Sequence, residues 1–142
     1  MGDVNYYRTL IAVAEDCPVS QSVVPEPRGG KATVASLQYE VLAERPYAYT
    51  QADVLFLTWL KRQDFPEAPS EAEVAKLREA FFAKPQACMR TSPLPKKYGW
   101  GLLCDEAGKV ALCPKESEEY QRLTAGKAGD VKVINAMRSS RA

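Results

Sequence analysis

The 142-residue chain contains no histidine. This absence excludes the Ser-His-Asp and Cys-His arrangements that usually activate a serine or cysteine nucleophile. It also removes imidazole, both as a metal ligand and as the side chain that titrates nearest to neutral pH. Any catalysis would therefore depend on carboxylates, lysine, tyrosine, a lone thiol or a bound cofactor, and the sequence leaves the identity of such a cofactor unknown.

Long apolar runs and a charge excess of one sign are also lacking. The strongest apolar run, residues 54–60, is far shorter than the roughly 20 residues that span a bilayer. Lys and Arg number 19 against 18 Asp and Glu, which gives a net charge of +1 and no overall drive toward nucleic acid. The N-terminus has no apolar leader, so we expect a cytoplasmic protein without a membrane span.

Closely spaced cysteine pairs are absent as well. The chain has four cysteines and no C-x-x-C pair: Cys17, Cys88, Cys104 and Cys113. Because cysteine ligands of a metal normally come at short spacing, the sequence predicts no metal site. In a protein that is not exported, we expect these thiols to be reduced rather than joined in disulfides.

The residues that are present predict a single α+β domain over residues 1–142. Beta-branched and aromatic residues predict a strand over residues 6–14, and the Pro- and Gly-rich residues 15–30 predict a long irregular loop. Three helices are then expected, each preceded by a hydroxyl side chain that can cap its N-terminus: Thr33, Thr50 and Ser70.

These helices differ in their apolar patterns. The first should end by Glu44, and Gln38 falls inside its apolar stripe. The second, residues 51–63, is apolar almost all round, as in a central buried helix or a helix that covers a partner. The third is expected to bury three residues of one stripe: Val74, Leu77 and Phe81.

The hydrophobic period changes to that of strands in the C-terminal half. Strands are expected over residues 86–91, 97–104 and 109–113, and Gly108 should occupy the left-handed position of the turn between the last two. In that register one face of the hairpin carries six residues: Tyr98, Trp100, Leu102, Cys104, Val110 and Leu112. Cys113 then lies on the face opposite Cys104.

Short helices are predicted at the C-terminal end, from Ser117 to Leu123 and from Asp130 to about Arg138. Together with the strand over residues 6–14, the C-terminal strands should form one small antiparallel sheet of about four strands. We expect the three main helices and the short C-terminal helices to pack on one face of that sheet.

The segment P-R-G-G-K-A-T, residues 27–33, raises the question of a phosphate site. It fails as a Walker A loop, because Pro25 stands in place of the first glycine and Ala32 in place of the hydroxyl residue. Helix N-termini with flexible glycines nevertheless bind anions well. The segment therefore predicts a site for a nucleotide or phosphate-like ligand, and the alternative is a solvated turn. The predicted members are Arg28, Gly29, Gly30, Lys31 and Thr33.

A second basic segment, residues 84–101, interleaves cations with aromatic residues. Arg90 and Lys97 would join the same anion site if the fold brings the two segments together. With Tyr98 and Trp100 as stacking surfaces, the segment is also compatible with single-stranded nucleic acid. The alternative places both aromatic side chains in the core of the sheet.

Two further functions stay open at this point. A small enzyme would use a carboxylate beside an arginine, or Cys17 as a nucleophile if Arg28 or Lys31 stabilised its thiolate. The adjacent Asp16 opposes that activation, and an inert thiol is the alternative. A homodimer would instead use the apolar surface of helix 51–63.

Several phrases spread over the chain resemble a small bacterial family known only as a domain of unknown function. They are D-C-P-V at residues 16–19, P-R-G-G-K at 27–31, L-Q-Y-E at 37–40, Y-T-Q-A-D-V-L-F at 49–56, K-P-Q-A-C at 84–88 and Y-G-W-G at 98–101. The resemblance implies a stand-alone cytoplasmic protein of about this length. It implies no activity, cofactor or catalytic residue.

Overall fold

A computed structural model describes residues 5–63, 65–84, 86, 88–126 and 129–137 of the chain. The predicted α+β class is confirmed. The elements, in chain order, are β1 (Thr9–Ala12), α1 (Val34–Glu44), α2 (Gln51–Lys61), α3 (Glu71–Phe82), a 3-10 turn (Met89–Thr91), α4 (Pro93–Lys97), β2 (Trp100–Cys104), β3 (Val110–Pro114), α5 (Glu118–Thr124) and β4 (Lys132–Asn135).

The four strands form one sheet in the order β3-β2-β1-β4, with β1 in its interior. β1 pairs antiparallel with β2 but parallel with β4, so the sheet is mixed and the expected all-antiparallel sheet is wrong. The helix expected from Asp130 is also wrong. Beta-branched Val133 and Ile134 suit a strand, and they pair with the free edge of β1. Arg138 lies outside the described residues.

The register predicted for the β2–β3 hairpin is confirmed. Leu102 lies opposite Leu112 and Cys104 opposite Val110, while Gly108 in the turn has a φ of +80°. The pairing sends alternate residues to opposite faces. Cys104 therefore belongs to a different core cluster from Cys113, and both thiols are free.

Helices cover both faces of the sheet, which corrects the expectation that they lie on one. On the first face, residues of α1, α2 and α4 join a core cluster that includes Ile11 and Leu102. On the second face, Tyr120 and Leu123 of α5 cover Leu10 and its neighbours. The hydroxyl of Tyr120 accepts a hydrogen bond from the backbone N–H of Val13 at 2.9 Å.

The three long helices begin where their capping residues predict. Thr33, Thr50 and Ser70 each accept a bond from the third residue of the helix, whose side chain bonds back to the cap. The burial expected for α3 is wrong, because none of its residues is buried. Val74, Leu77 and Phe81 are only half-buried, since α3 packs on the aromatic side chains of α2 rather than on the sheet.

The strand expected over residues 86–91 is wrong, because Met89–Thr91 form the 3-10 turn and α4 follows at Pro93–Lys97; residue 87 lies outside the described residues. Proline lacks the N–H that a sheet requires, and it is well tolerated in the first turn of a helix. Pro93 takes that first position, and the hydroxyl of Ser92 caps α4 by accepting from the N–H of Leu94 at 3.2 Å. The predicted strands 6–14 and 97–104 shorten to β1 and β2.

The loop between β1 and α1 is irregular, as predicted, but its course is fixed by hydrogen bonds. The carboxylate of Glu116 accepts from the backbone N–H and the hydroxyl of Ser22, at 2.8 and 2.6 Å. Val23 donates its N–H to the carbonyl of Tyr98 at 2.8 Å and accepts at its own carbonyl from the indole of Trp100, also at 2.8 Å. These contacts hold the loop against the junction between α4 and β2.

Candidate functional site

The glycines of the predicted anion segment form an exposed tight turn. Arg28 and Lys31 exchange two backbone hydrogen bonds of 2.9 Å each, and Gly29 and Gly30 between them have φ values of +57° and +76°. Such left-handed values at both central positions are what a two-residue hairpin turn requires. Thr33 caps α1 by accepting from the N–H of Ser36 at 3.1 Å.

The remaining predicted site residues each have surroundings of their own. The guanidinium of Arg90 donates through Nε to the carbonyl of Asn135 at 2.9 Å, next to β4. Lys97 is exposed at the end of α4. Cys17 is half-buried against the core cluster under α5, whereas the Arg28–Lys31 turn leads into α1 on the other face of the sheet.

Trp100 packs within the protein rather than standing free. Its indole N–H donates to Val23, its ring lies 5.2 Å from that of Tyr39, and it contacts the core cluster on the α1 face. The arrangement corresponds to the core alternative for this residue. In α2, likewise, Val54 and Phe56 are buried within the chain itself.

Instead, the structure brings three distant segments together around a cleft of about 270 Å³. The start of α1, the second half of α2, and Gln86 with residues 88–93 form its walls. We call it the α1–α2 cleft. Its lining residues are Val34, Gln38, Leu55, Thr58, Trp59, Arg62, Gln86, Cys88, Met89, Thr91, Ser92 and Pro93.

The floor of the α1–α2 cleft contains three buried polar side chains. Gln38, Ser92 and Thr58 are only 3%, 4% and 5% exposed. The hydroxyl of Ser92 donates to Oε1 of Gln38 at 2.6 Å, which fixes the carboxamide. Nε2 of Gln38 then lies 3.9 Å from the thioether sulfur of Met89, a weak acceptor.

A second buried glutamine supports this floor from behind. Gln51 is fully buried, and its Oε1 accepts from the backbone N–H of Met89 at 3.0 Å, while its Nε2 donates to the sulfur of Cys104 at 3.6 Å. Since Met89 begins the 3-10 turn, Gln51 ties that turn to α2 and to the sheet. The cleft wall is therefore held by tertiary hydrogen bonds.

The rim of the cleft has a positive character. Among the described residues that line it, Arg62 is the only one charged at neutral pH, and no carboxylate is present. Val34 is the first residue of α1, so the positive end of that helix dipole also lies at the cleft. The local charge therefore favours an anion.

One thiol also lines the cleft. Cys88 lies 3.3 Å from the hydroxyl oxygen of Tyr6. Burial, reinforced by this hydrogen bond, raises the pKa of Tyr6 from 10.0 to about 12. Tyr6 therefore stays protonated at any physiological pH and can donate to the sulfur.

Labelling of the native protein with iodoacetamide should separate the four cysteines into two classes. Burial raises the pKa of Cys104 and Cys113 from 9.0 to about 11, so both should stay unlabelled at about pH 8. The half-buried Cys17 and Cys88 should react. Peptide mass spectrometry measures each site, with urea-unfolded protein as the control in which all four react.

The same pKa shifts make the free energy of unfolding depend on pH. The folded state favours the protonated thiols, so their contribution is complete below pH 9.0 and is lost as the pH rises toward about 11. Urea unfolding midpoints should therefore fall over that interval. Rapid native labelling of Cys104 would contradict the burial on which both expectations rest.

Sequence reasoning missed most of this cleft. Gln38 was noticeable as a polar residue inside an apolar stripe, and Thr58 interrupts the apolar run of α2. Arg62 and Ser92 carried no local signal, because only the fold brings residue 92 back against α1. The cleft and the predicted anion segment share only the N-terminal end of α1.

Metal binding and membrane spanning are two further classes of function to consider. Within the described ranges, no three residues of the types His, Cys, Asp or Glu are grouped so that they could hold a metal ion. No helix in the same part of the chain is both long and apolar enough to cross a bilayer.

Comparison with known proteins gives a family and no activity. Searches of the curated proteins and of the solved structures each found no match. A model of a family of unknown function, DUF6157, matches residues 1–142. The chain therefore belongs to the family of unknown function DUF6157.

Proposed function

We propose that this protein binds a small anionic organic molecule in the α1–α2 cleft. The observation that carries the proposal is the floor, where Gln38, Ser92 and Thr58 are each more than nine-tenths buried and line one cavity. Buried polar groups are unfavourable unless they find hydrogen-bond partners, and bonds within the protein hold these three side chains in fixed positions. Apolar walls with a few convergent polar groups are typical of small-molecule sites.

A larger groove of about 570 Å³ lies beside the start of α3, but it is a weaker candidate. Every described residue that lines it is exposed or half-buried: Phe65, Pro66, Glu67, Pro69, Glu73, Lys76 and Leu77. None of these residues therefore offers a buried polar group that could orient a ligand. Volume alone does not give specificity, so the α1–α2 cleft is favoured.

The anionic character of the ligand follows from the rim. Arg62 and the N-terminal end of α1 supply positive charge, and none of the described lining residues is a carboxylate that would oppose them. Arg28 and Lys31 also carry charge, but a Cβ placed on either glycine between them would meet nothing within 4 Å. An open turn of this kind offers an anion no enclosing walls.

The dimensions of the cleft limit the size of the ligand. About 270 Å³ lies just below the usual range of roughly 300–1,000 Å³ for ligand pockets. Leu55, Trp59 and Pro93 provide apolar wall surface. A molecule with a single ring or a short chain fits these limits better than a dinucleotide or a polymer.

A thermal-shift screen with small carboxylates, sulfonates and phosphate esters tests the proposal. A ligand at 100 times its dissociation constant should stabilise the protein by about 2.7 kcal/mol. Arg62→Ala should weaken this effect strongly, and Arg62→Lys should weaken it less. The matched control is the double variant Arg28→Ala, Lys31→Ala, which removes exposed positive charge elsewhere and should bind normally.

Two results would refute the proposal in different ways. If no anion in the screen stabilises the protein, the α1–α2 cleft is not an anion site. If stabilisation survives Arg62→Ala but is lost in the Arg28→Ala, Lys31→Ala variant, the anion binds at the turn before α1 instead. Unfolding midpoints without ligand show whether each variant is folded.

A further inference from the structure

The floor of the α1–α2 cleft combines a hydrogen-bond donor with a hydrogen-bond acceptor. We infer that the ligand carries an amide at its inner end, as a carboxamide or a lactam, with its anionic group at the outer end. This inference rests on the proposed function of the cleft and specifies the chemistry of the ligand. It depends on Gln38, Thr58 and the position of Arg62.

Gln38 is the donor. Its Oε1 already accepts from the hydroxyl of Ser92 at 2.6 Å, so the carboxamide turns its Nε2 toward Met89. An amide nitrogen has two hydrogens, and a thioether sulfur at 3.9 Å is a weak partner for one of them. A carbonyl oxygen that enters the cleft would be a stronger acceptor for this buried donor.

Thr58 is the acceptor. Its hydroxyl hydrogen is committed to the carbonyl of Val54, at an oxygen–oxygen distance of 2.7 Å. Its Oγ1 therefore has only lone pairs to offer, and a ligand N–H satisfies them. The hydroxyl of Ser92 is more fully engaged than that of Thr58, because it donates to Gln38 and already accepts from the N–H of Leu94.

The two groups together select an amide over its close relatives. An ester presents the carbonyl that Gln38 requires but has no N–H for Thr58. A carboxylate likewise presents only acceptors, and it would place its lone pairs against those of Thr58. A group with adjacent C=O and N–H satisfies both residues at once, which neither the ester nor the carboxylate does.

The position of Arg62 sets where the anion lies. Thr58 and Arg62 are four residues apart in sequence, where α2 ends and its C-cap follows, so they lie about one helical turn apart along the same side. One turn rises roughly 5.4 Å. A ligand whose amide reaches Thr58 and whose anion reaches Arg62 therefore needs a spacer of about one aromatic ring.

A matched pair of probes tests the inference directly. 3-Carbamoylbenzoate has the amide, the ring and the anion, and 3-(methoxycarbonyl)benzoate replaces only the amide by an ester. Calorimetric titration of the wild-type protein should give at least tenfold tighter binding of the amide. Benzoate, which has the anion and the ring alone, should bind more weakly than the amide and depend on Arg62.

Variants at Thr58 provide the internal control. Thr58→Val is nearly isosteric and removes the lone pairs, so the amide and the ester should then bind within about threefold of each other. Thr58→Ser retains the oxygen and should keep the preference. If Thr58→Val does not fold, the ratio of the dissociation constants of the amide and the ester for the wild-type protein tests the inference by itself.

The outcomes separate this inference from the proposed function. Equal affinities for amide and ester, together with loss of benzoate binding in Arg62→Ala, would overturn the amide and leave the anion site standing. A preference for the amide that survives Thr58→Val would overturn the role of Thr58. Absence of binding by all three probes would overturn the amide inference, while the wider anion screen would still decide the proposed function.

Discussion

Replacement of Gly99 by alanine is expected to lower the free energy of unfolding by about 3 kcal/mol. Gly99 has a φ of +77°, a left-handed conformation that costs an alanine about 1–2 kcal/mol. In addition, a Cβ at this position would lie 2.9 Å from the backbone oxygen of Gln21. The loop there cannot withdraw freely, because Ser22 and Val23 are hydrogen-bonded to Glu116, Tyr98 and Trp100.

The protein contains a closely matched control for this prediction. Gly30 has a φ of +76°, but a Cβ placed on it would meet nothing within 4 Å. Gly30→Ala should therefore lower the free energy of unfolding only by the cost of the left-handed conformation, about 1–2 kcal/mol. Urea unfolding followed by circular dichroism measures both variants. Equal losses for the two would show that the loop does not restrain residue 99.

Replacement of Met89 by alanine is expected to destabilise the protein by about 2–5 kcal/mol. Met89 is fully buried within the core cluster on the α1 face, and its loss leaves a cavity that the surroundings can fill only in part. Its backbone is held by Gln51, so the turn itself has little freedom to collapse inward. Urea unfolding at neutral pH provides the measurement.

Met89→Leu is the control for this substitution. It nearly conserves volume, so it should cost less than about 1.5 kcal/mol. It also removes the sulfur that contacts Nε2 of Gln38, which leaves that donor without a protein partner and increases its preference for a ligand acceptor. Similar destabilisation by alanine and leucine would indicate that the sulfur, rather than the packing, holds this part of the core.

Local chemistry accounts for the parts of the fold that the sequence predicted well. The N-caps of α1, α2 and α3 depend on side chains within three residues, so Thr33, Thr50 and Ser70 could be recognised directly. The β2–β3 register likewise follows from one turn and an alternating pattern. In these elements every interaction that decides the structure lies within a short window.

The errors occurred where distant partners decide the structure. β4 became a strand because it pairs with β1, whose exposed edge a local pattern cannot reveal. In α3 the amphipathic pattern was recognised, but the sequence could not show that the helix would pack on α2 and remain half-buried. The error in α3 concerns its placement, whereas the error in β4 also concerns its local conformation.

In the candidate site, too, the features decided by local sequence were predicted and those decided by distant partners were not. The N-terminus of α1 was identified from its cap and glycines, and it does border the cleft through Val34. Arg62 and Ser92 could not be assigned, because their proximity to Gln38 exists only after α2 and residues 88–93 have packed against α1. A sequence alone identifies residues that can bind, whereas the fold decides which of them face one cavity.

The interior position of β1 has a consequence for biosynthesis. This strand is translated before both of its sheet partners, which are Trp100–Cys104 and Lys132–Asn135. Its side chains Leu10 and Ile11, fully buried in the finished protein, lack these partners until those segments have been translated. The nascent chain therefore carries an apolar strand without its sheet partners during that interval, which increases its susceptibility to aggregation.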